Sequence, residues 1–141
     1  MLERPLIFVV NKWDAWKDLL STNPGKKPLL NRKGKEIQSL DMDAIGKVSS
    51  ELRTLLSKLC PEIVSCAESF CKTVVYLPAS PLGITPQQNS DILDPETKIF
   101  LNTIRPVDID PWWTEIPMLY AISREDPKMV EPVRRVPTGN K

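Results

Sequence analysis

The chain has 141 residues and contains no histidine, and it has few cysteines and glycines. Without histidine, we do not expect a zinc site or a Cys-His or Ser-His nucleophile. The three cysteines, Cys60, Cys66 and Cys71, lack Cys-x-x-Cys spacing. We therefore expect three buried thiols in a reducing cytoplasm. Fourteen prolines against five glycines predict many fixed turns.

The charge balance and the hydrophobic pattern argue against several classes of partner and against a membrane protein. The formal net charge is +1, which gives no global electrostatic reason to expect nucleic acid or an acidic membrane as partner. No segment approaches the ~18 apolar residues of a membrane span, and the N-terminus lacks a signal-peptide pattern. A hydrophobic content of 41% and a charged content of 26% are those of a globular protein. The length predicts one domain with a core.

What the sequence does contain is an apolar strand that ends in a polar motif. Leu6–Val10 is a continuous branched and aromatic run, which predicts a strand buried on both faces inside a parallel sheet. Asn-Lys-Trp-Asp follows at residues 11–14, where open α/β sheets bind ligands. The alternative interpretation is that Asn11 starts a turn and Asp14 caps a helix beginning near Ala15.

The middle of the chain predicts helices and a second strand. An amphipathic helix begins at Asp41 or Asp43, and Pro61 either kinks it or lies in the first turn of a second helix. Thr73–Pro78 is β-branched and aromatic, which predicts a strand. Strand, helices and strand form a βαβ unit, so the loop after this second strand is expected beside the Asn-Lys-Trp-Asp motif.

The remaining segments predict loops, two helices and a tail. Residues 89–94 predict a loop, Asp94 the start of a helix, and residues 112–122 an apolar helix whose tryptophan pair docks on the sheet or lines a ligand site. Residues 123–141, with prolines among charges, predict a disordered tail.

A long basic loop is predicted at residues 21–41. A phosphate or nucleic-acid contact is one interpretation, but no aromatic residues interleave for stacking on bases, which favours a solvated loop. Its basic residues are Lys26, Lys27, Arg32, Lys33 and Lys35.

Together these features resemble the C-terminal half of a TRAFAC-class P-loop GTPase domain. The Asn-Lys-Trp-Asp motif is similar to the family's guanine-specificity motif, and Val-Tyr-Leu-Pro-Ala-Ser-Pro-Leu-Gly at 75–83 is similar to its second guanine loop. Residues 105–111 and the following helix resemble a closing element of bacterial members associated with multi-protein systems. The resemblance implies an α/β fold over residues 1–122, a partial P-loop GTPase-like (Rossmann-like) parallel sheet with flanking helices.

The resemblance also implies a role for each matching residue of the first motif. Guanine presents two adjacent donors, N1–H and N2–H₂, and the carboxylate of Asp14 would accept both. Adenine lacks this donor pair, so Asp14 would discriminate between the bases. Asn11 would brace the loops and contact the base, and Lys12 would lay its aliphatic stem over the base plane.

In the second motif, Ser80, Pro81 and Leu82 would close the guanine pocket. Pro81 stands where the family has an alanine whose amide donates to guanine O6, and proline has no N–H. Either the amide of Leu82 takes this role, or guanine recognition is weakened by one hydrogen bond, about 0.5–1.5 kcal/mol.

The phosphate-binding loop of the family, Gly-x-x-x-x-Gly-Lys-Ser/Thr, is absent from the sequence. We expect the magnesium-binding and switch segments upstream of Met1. The expected ligand is therefore GTP or GDP, with Mg²⁺ only when the missing N-terminal half is present, and this chain alone is not expected to hydrolyse GTP.

Two explanations of the truncation stay open: a fragment whose partner half supplies phosphate binding, and a nucleotide-free adaptor on a degenerate scaffold. In both, Leu6–Val10 loses a neighbouring strand and leaves an apolar edge open to pairing with a protein partner. A nucleic-acid binder acting through the basic loop is the least favoured class. No membrane partner is expected, and the expected location is cytoplasmic.

Overall fold

The computed structural model describes residues 1–20, 27–30, 39–94, 96–97 and 100–134. In this part of the chain it is a mixed α/β structure with four α-helices and a parallel strand pair. The elements are β1 (Leu6–Val10), α1 (Trp13–Trp16), β2 (Leu29–Leu30), β3 (Ser39–Asp41), α2 (Met42–Leu59), α3 (Pro61–Phe70), β4 (Val74–Pro78), β5 (Gln87–Leu93), β6 (Phe100–Thr103), α4 (Ile116–Glu125) and β7 (Glu131–Val133).

The predicted parallel pairing of the two apolar strands is confirmed. Strand β1 pairs with β4 in one continuous register, from Leu6 opposite Val74 to Val10 opposite Pro78. The ladder continues past the strand ends, where the amide of Ala79 donates to the carbonyl of Val10 at 2.9 Å. The two loops that follow the strands therefore begin side by side.

Strand β1 is less buried than the sequence predicts. Val9 is 45% exposed, whereas Tyr76 and Leu77 of β4 are 1% and 0% exposed. Helix α2 packs on β4, and among the described residues β1 pairs with β4 alone. Burial on both faces was the wrong prediction, because an apolar run does not show whether a second layer covers it.

Helices α2 and α3 form as the sequence predicts. The side chain of Asp41 accepts a hydrogen bond from the amide of Ala44 at 3.0 Å, so Asp41 is the N-cap of α2. Pro61 occupies the first turn of α3, where its missing N–H leaves no acceptor unpaired. The buried stripe of α2, with α3 and β4, makes most of the core; its members are Ile45, Val48, Leu52, Val64, Val75, Tyr76 and Leu77.

The predicted disordered tail is ordered in its described part. Helix α4 continues to Glu125, and β7 pairs in parallel with β3. Val130 is 6% exposed and belongs to the core. This short strand joins a three-stranded sheet, β2-β3-β7, so strand pairing and the burial of Val130 hold a segment whose composition is otherwise that of a tail. The last residues, 135–141, lie outside the described residues.

Two helix predictions need correction. The loop at 89–94 and the helix at Asp94 are replaced by an antiparallel hairpin of β5 and β6, and Asp94 accepts hydrogen bonds from the amides of Glu96 and Thr97 within its turn. The helix predicted over 112–122 begins only at Ile116. Trp113 has a positive φ of 53°, which the helix cannot contain.

Three further predictions have mixed outcomes. Of the cysteines, Cys71 is buried, but Cys60 is half-buried and Cys66 is exposed, and all are free thiols. The loop predicted at 21–41 is wrong at its described ends, where β2 and β3 form. Its Lys27 pairs with Glu115 at 2.8 Å, while the other basic residues of that segment lie outside the described part of the chain. No described helix combines the length and apolar character needed to cross a membrane.

Candidate functional site

The two loops that follow β1 and β4 meet at the side chain of Asp14. Ser80 donates its hydroxyl hydrogen to Oδ1 of Asp14 at 2.5 Å, and Thr85 donates to Oδ2 at 2.9 Å. The amide of Trp13 also donates to the carbonyl of Ala79 at 3.1 Å. The sequence prediction that the two motifs lie together is thus confirmed, because parallel strands end at one edge of a sheet.

The alternative interpretation of Asp14 as a helix cap is wrong. Helix α1 begins at Trp13, its N-cap is Lys12, and no side chain caps it. Asp14 instead lies in the first turn and turns its carboxylate to the second loop. Lys12 adopts a left-handed backbone conformation with φ 58°, an uncommon state for a residue with a side chain. After this turn, the half-buried side chain of Asp14 contacts Ser80.

The carboxylate of Asp14 is ionised at neutral pH. Its pKa is lowered mainly by the hydrogen bond from Ser80; partial burial opposes the shift, and the hydrogen bond from Thr85 and the charge of Lys17 lower the pKa further. An ionised carboxylate accepts hydrogen bonds only. The carboxylate can therefore pair only with groups that donate hydrogen bonds.

The second loop is held by backbone contacts to the segment before α4. Ser80 and Trp112 exchange two backbone hydrogen bonds, at 2.8 and 2.9 Å, and the amide of Asp110 donates to the carbonyl of Leu82 at 3.0 Å. Gly83 has φ +70°, and a Cβ at this position would overlap the backbone carbonyl of Asp110. Only glycine fits this close approach. The amide of Gly83 donates to the Ser80 hydroxyl at 2.9 Å, which fixes its orientation towards Asp14.

All four tryptophans of the chain form one aromatic cluster beside the site. Trp112 stacks on both Trp13 and Trp113, with ring centroids 4.9 Å apart and interplanar angles of 12° and 14°. Trp16 meets Trp13 edge-on at 4.7 Å. Trp113 is 1% exposed, and among the described residues its Nε1–H has no acceptor. The tryptophan pair thus docks into the core, the first of the two interpretations of the sequence.

A cleft of about 400 Å³ opens at Asp14. This volume lies in the range of small-molecule sites, roughly 300–1,000 Å³. Asp14 supplies its acidic group and Lys17 its basic group; the rest of the lining comes from Gly83, Ile84, Thr85 and Pro86. A second cleft of about 440 Å³ lies at the start of α2 and β4, at the opposite end of the strand from Asp14. Of these two clefts, only the first contains Asp14.

The other predicted site residues surround this cleft without lining it. Asn11 and Lys12 are exposed, and the side-chain oxygen of Asn11 accepts a hydrogen bond from the amide of Lys12 at 2.7 Å. Pro81 is exposed, and Leu82 is 40% exposed. Within the described part of the chain, the amide of Leu82 has no acceptor. Ser80 is buried behind Asp14, with 1% exposure.

Two lining residues with polar side chains, Lys17 and Thr85, were missed from the sequence. Lys17 follows Asp14 by three residues, the spacing of neighbours on a helix surface, so a helical turn at Asp14 could have indicated it. Thr85 lies beyond the matched loop, and no spacing rule connects it with Asp14.

Comparisons with protein-family models, with curated proteins and with solved structures found no match for this chain. Among the described residues, no group of three or more histidine, cysteine, aspartate or glutamate side chains could hold a metal ion. What can be said of function therefore comes from the motifs and from the geometry around Asp14.

Proposed function

We propose that the cleft at Asp14 recognises the base of a guanine nucleotide, GTP or GDP, as the C-terminal portion of a GTPase-like domain. The observation that carries the proposal is the hydrogen bond between Asp14 and Ser80. It joins the two motifs that resemble guanine loops, at the carboxyl ends of adjacent parallel strands. Such an edge is where open α/β sheets bind ligands.

The chemistry of Asp14 supports the base assignment. A carboxylate has about four acceptor positions, and in the free protein Ser80 and Thr85 use two of them. A guanine edge with two parallel N–H donors suits the acidic group, whereas adenine has no such pair. The amide of Leu82, which lacks an acceptor among the described residues, is available as the donor to guanine O6 that Pro81 does not provide.

No phosphate-binding element accompanies the base site in this sequence. Phosphoryl transfer depends on positioned phosphate and metal contacts, so the proposal is recognition without hydrolysis by this chain alone. Phosphate and Mg²⁺ contacts would come from a separate protein half. Among the described residues β1 pairs with β4 alone, so its other edge is where an added strand from such a partner would pair. A cytoplasmic location, where guanine nucleotides are abundant, belongs to the same proposal.

A titration of the purified chain with GDP and, separately, with ADP tests the proposal. Tryptophan fluorescence reports binding, because Trp13 precedes Asp14 directly and stacks on Trp112. We expect a saturable change with GDP alone, and loss of that change in Asp14→Asn. This variant keeps the shape of the side chain but cannot accept two guanine donors. Asp18→Asn removes an exposed charge from the same segment and should bind GDP like the wild type.

Ligand-detected NMR at millimolar guanosine complements the titration, since it detects base binding without phosphate contacts. Equal responses to GDP and ADP, or a GDP response that survives Asp14→Asn, would contradict guanine recognition through this carboxylate. A folded chain that binds neither guanosine nor GDP would favour the second candidate.

The second candidate is a nucleotide-free adaptor. It is favoured because the carboxylate of Asp14 already has hydrogen-bond donors within the protein. Both oxygens of Asp14 already accept hydrogen bonds from Ser80 and Thr85, and Pro81 lacks the amide of the family's loop. The open edge of β1 would then be the interaction surface. This candidate predicts partner binding that Val9→Lys abolishes and Asp14→Asn leaves unchanged.

A further inference from the structure

The two hydroxyls that hold Asp14 differ in how firmly they are themselves held. Ser80 is 1% exposed and contacts Oδ1 from behind the cleft, whereas Thr85 is exposed, lines the cleft and contacts Oδ2. Ser80 therefore contacts the carboxylate from the protein interior. Thr85 contacts it from the side on which a ligand would arrive.

The Ser80 hydroxyl cannot leave Asp14 without losing a second contact of its own. Its backbone exchanges two hydrogen bonds with Trp112, and its hydroxyl also accepts the amide of Gly83 at 2.9 Å. Gly83 in turn lies against the backbone of Asp110, too close for any side chain. On moving, this buried hydroxyl would lose two hydrogen bonds at once, to Asp14 and from Gly83, while the backbone holds the residue in place.

Thr85 has no comparable restraint. It lies between Gly83 and strand β5, and within the described part of the chain its hydroxyl contact to Asp14 is its single hydrogen bond. Rotation of one side chain exposes Oδ2 to the cleft, and water can satisfy the released hydroxyl. Exchange of this contact therefore costs about one net hydrogen bond, a factor of about three to ten in binding.

We infer that Thr85 is a latch on the acidic group of the cleft: its hydroxyl occupies the ligand-facing acceptor of Asp14 in the free protein, and a ligand binds by displacing it. The inference rests on the proposed function and explains how the cleft would favour ligands with two donors over ligands with one. A ligand with one donor exchanges one hydrogen bond for another and gains little. A ligand with two adjacent donors, such as the guanine edge, replaces Thr85 and gains a second bond to the carboxylate.

The test compares Thr85→Val with Thr85→Ser in the full chain. Valine keeps the shape of threonine and cannot donate, so the latch is absent; serine retains the hydroxyl. We expect Thr85→Val to bind GDP about three- to tenfold more tightly than the wild type, the factor for one net hydrogen bond. Thr85→Ser should bind like the wild type. Thr54→Val, which removes an exposed hydroxyl on α2 that donates to the carbonyl of Ser50, is the matched control.

A second readout needs no ligand. In the free chain, the pKa of Asp14 measured by NMR should be higher in Thr85→Val than in the wild type, because a hydrogen bond to the carboxylate is lost. An unchanged pKa would show that the contact is absent in solution and would overturn the inference.

The binding outcomes separate the two proposals. If Thr85→Val binds GDP no more tightly than the wild type, while Asp14→Asn abolishes binding, the latch is overturned and guanine recognition stands. If neither the wild type nor Thr85→Val binds GDP or guanosine, guanine recognition is overturned, and the latch is overturned with it.

Discussion

Strands β1 and β4 are alike in sequence and unlike in the fold. Both have five residues, mostly branched or aromatic, and they pair along their full length. Yet Leu77 of β4 is fully buried, while Val9, its partner in the register, is 45% exposed. An apolar run thus predicts a strand reliably, whereas burial depends on which layer covers the strand.

The outer edge of β4 is also protected in a way that the edge of β1 is not. The amide of Tyr76 donates to the hydroxyl of Ser49 in α2 at 2.9 Å, and Pro78 has no amide to donate. On β1, alternation of the backbone directs the amides of Ile7 and Val9 away from β4. The same asymmetry continues into the loops, since Ser80 is buried and Lys12 is exposed.

The largest expected effect comes from comparing one alanine substitution in each of the two strands. Leu77→Ala should destabilise the fold by about 2–5 kcal/mol, because it leaves a cavity in the core. Val9→Ala removes a half-exposed side chain and should cost less than about 1 kcal/mol. Urea denaturation of both variants measures the difference. Equal losses would mean that β1 is covered in solution, for example by self-association.

A second test concerns the anchored loop after β4. Gly83→Ala places a Cβ against the backbone of Asp110 at a positive φ, and we expect a loss of about 1–3 kcal/mol. Gly46→Ala is the control: it lies in α2 with no atom near the new Cβ, and should stabilise by about 0.5–1 kcal/mol. If Gly83→Ala matched the wild type in a thermal melt, the loop would not be held against Asp110.

The smallest expected effect is a pH dependence at the point where the two loops meet. The pKa of Asp14 is lower in the folded chain than in the unfolded one, mainly through Ser80. Its contribution to stability is thus complete above about pH 4 and is lost as the pH falls through the lowered pKa. Asp14→Asn should therefore be less stable than the wild type at neutral pH. The difference in their free energies of unfolding should become smaller in acid.

Urea denaturation from about pH 6 to pH 3 measures this gap. The exposed variant Asp18→Asn should show no comparable narrowing. A gap for Asp14→Asn that stays constant or widens in acid would contradict the hydrogen bonds to the carboxylate.

Local patterns predicted much of the framework. The apolar period of α2, the cap at Asp41 and the proline at the start of α3 are short-range signals, and each lies in the structure where the sequence indicated. The meeting of Asp14 with Ser80 also follows from the order strand, helices, strand, because the handedness of such units leaves few alternatives.

The wrong sequence predictions fall where long-range contacts determine the local structure. Asp94 carries every signal of a helix start, yet its turn joins two strands of a hairpin. Val130 lies in a proline-rich, charged segment and is buried all the same. Thr85 reaches Asp14 across 71 positions in sequence. The local periodicity of apolar residues does not predict such contacts, because each depends on how the rest of the fold positions the segment.

The tryptophan cluster gives the protein an optical signature. Indole rings that stack nearly parallel at 4.9 Å couple their electronic transitions, so light absorbed by one ring is shared with its neighbours. The result is an exciton couplet in the circular dichroism spectrum, whose sign and size depend on the relative orientation of the rings. Trp13 belongs to this array and is bonded directly to Asp14. A ligand that binds at the carboxylate and shifts the Trp13 ring should therefore change the couplet, which circular dichroism measures without any added label.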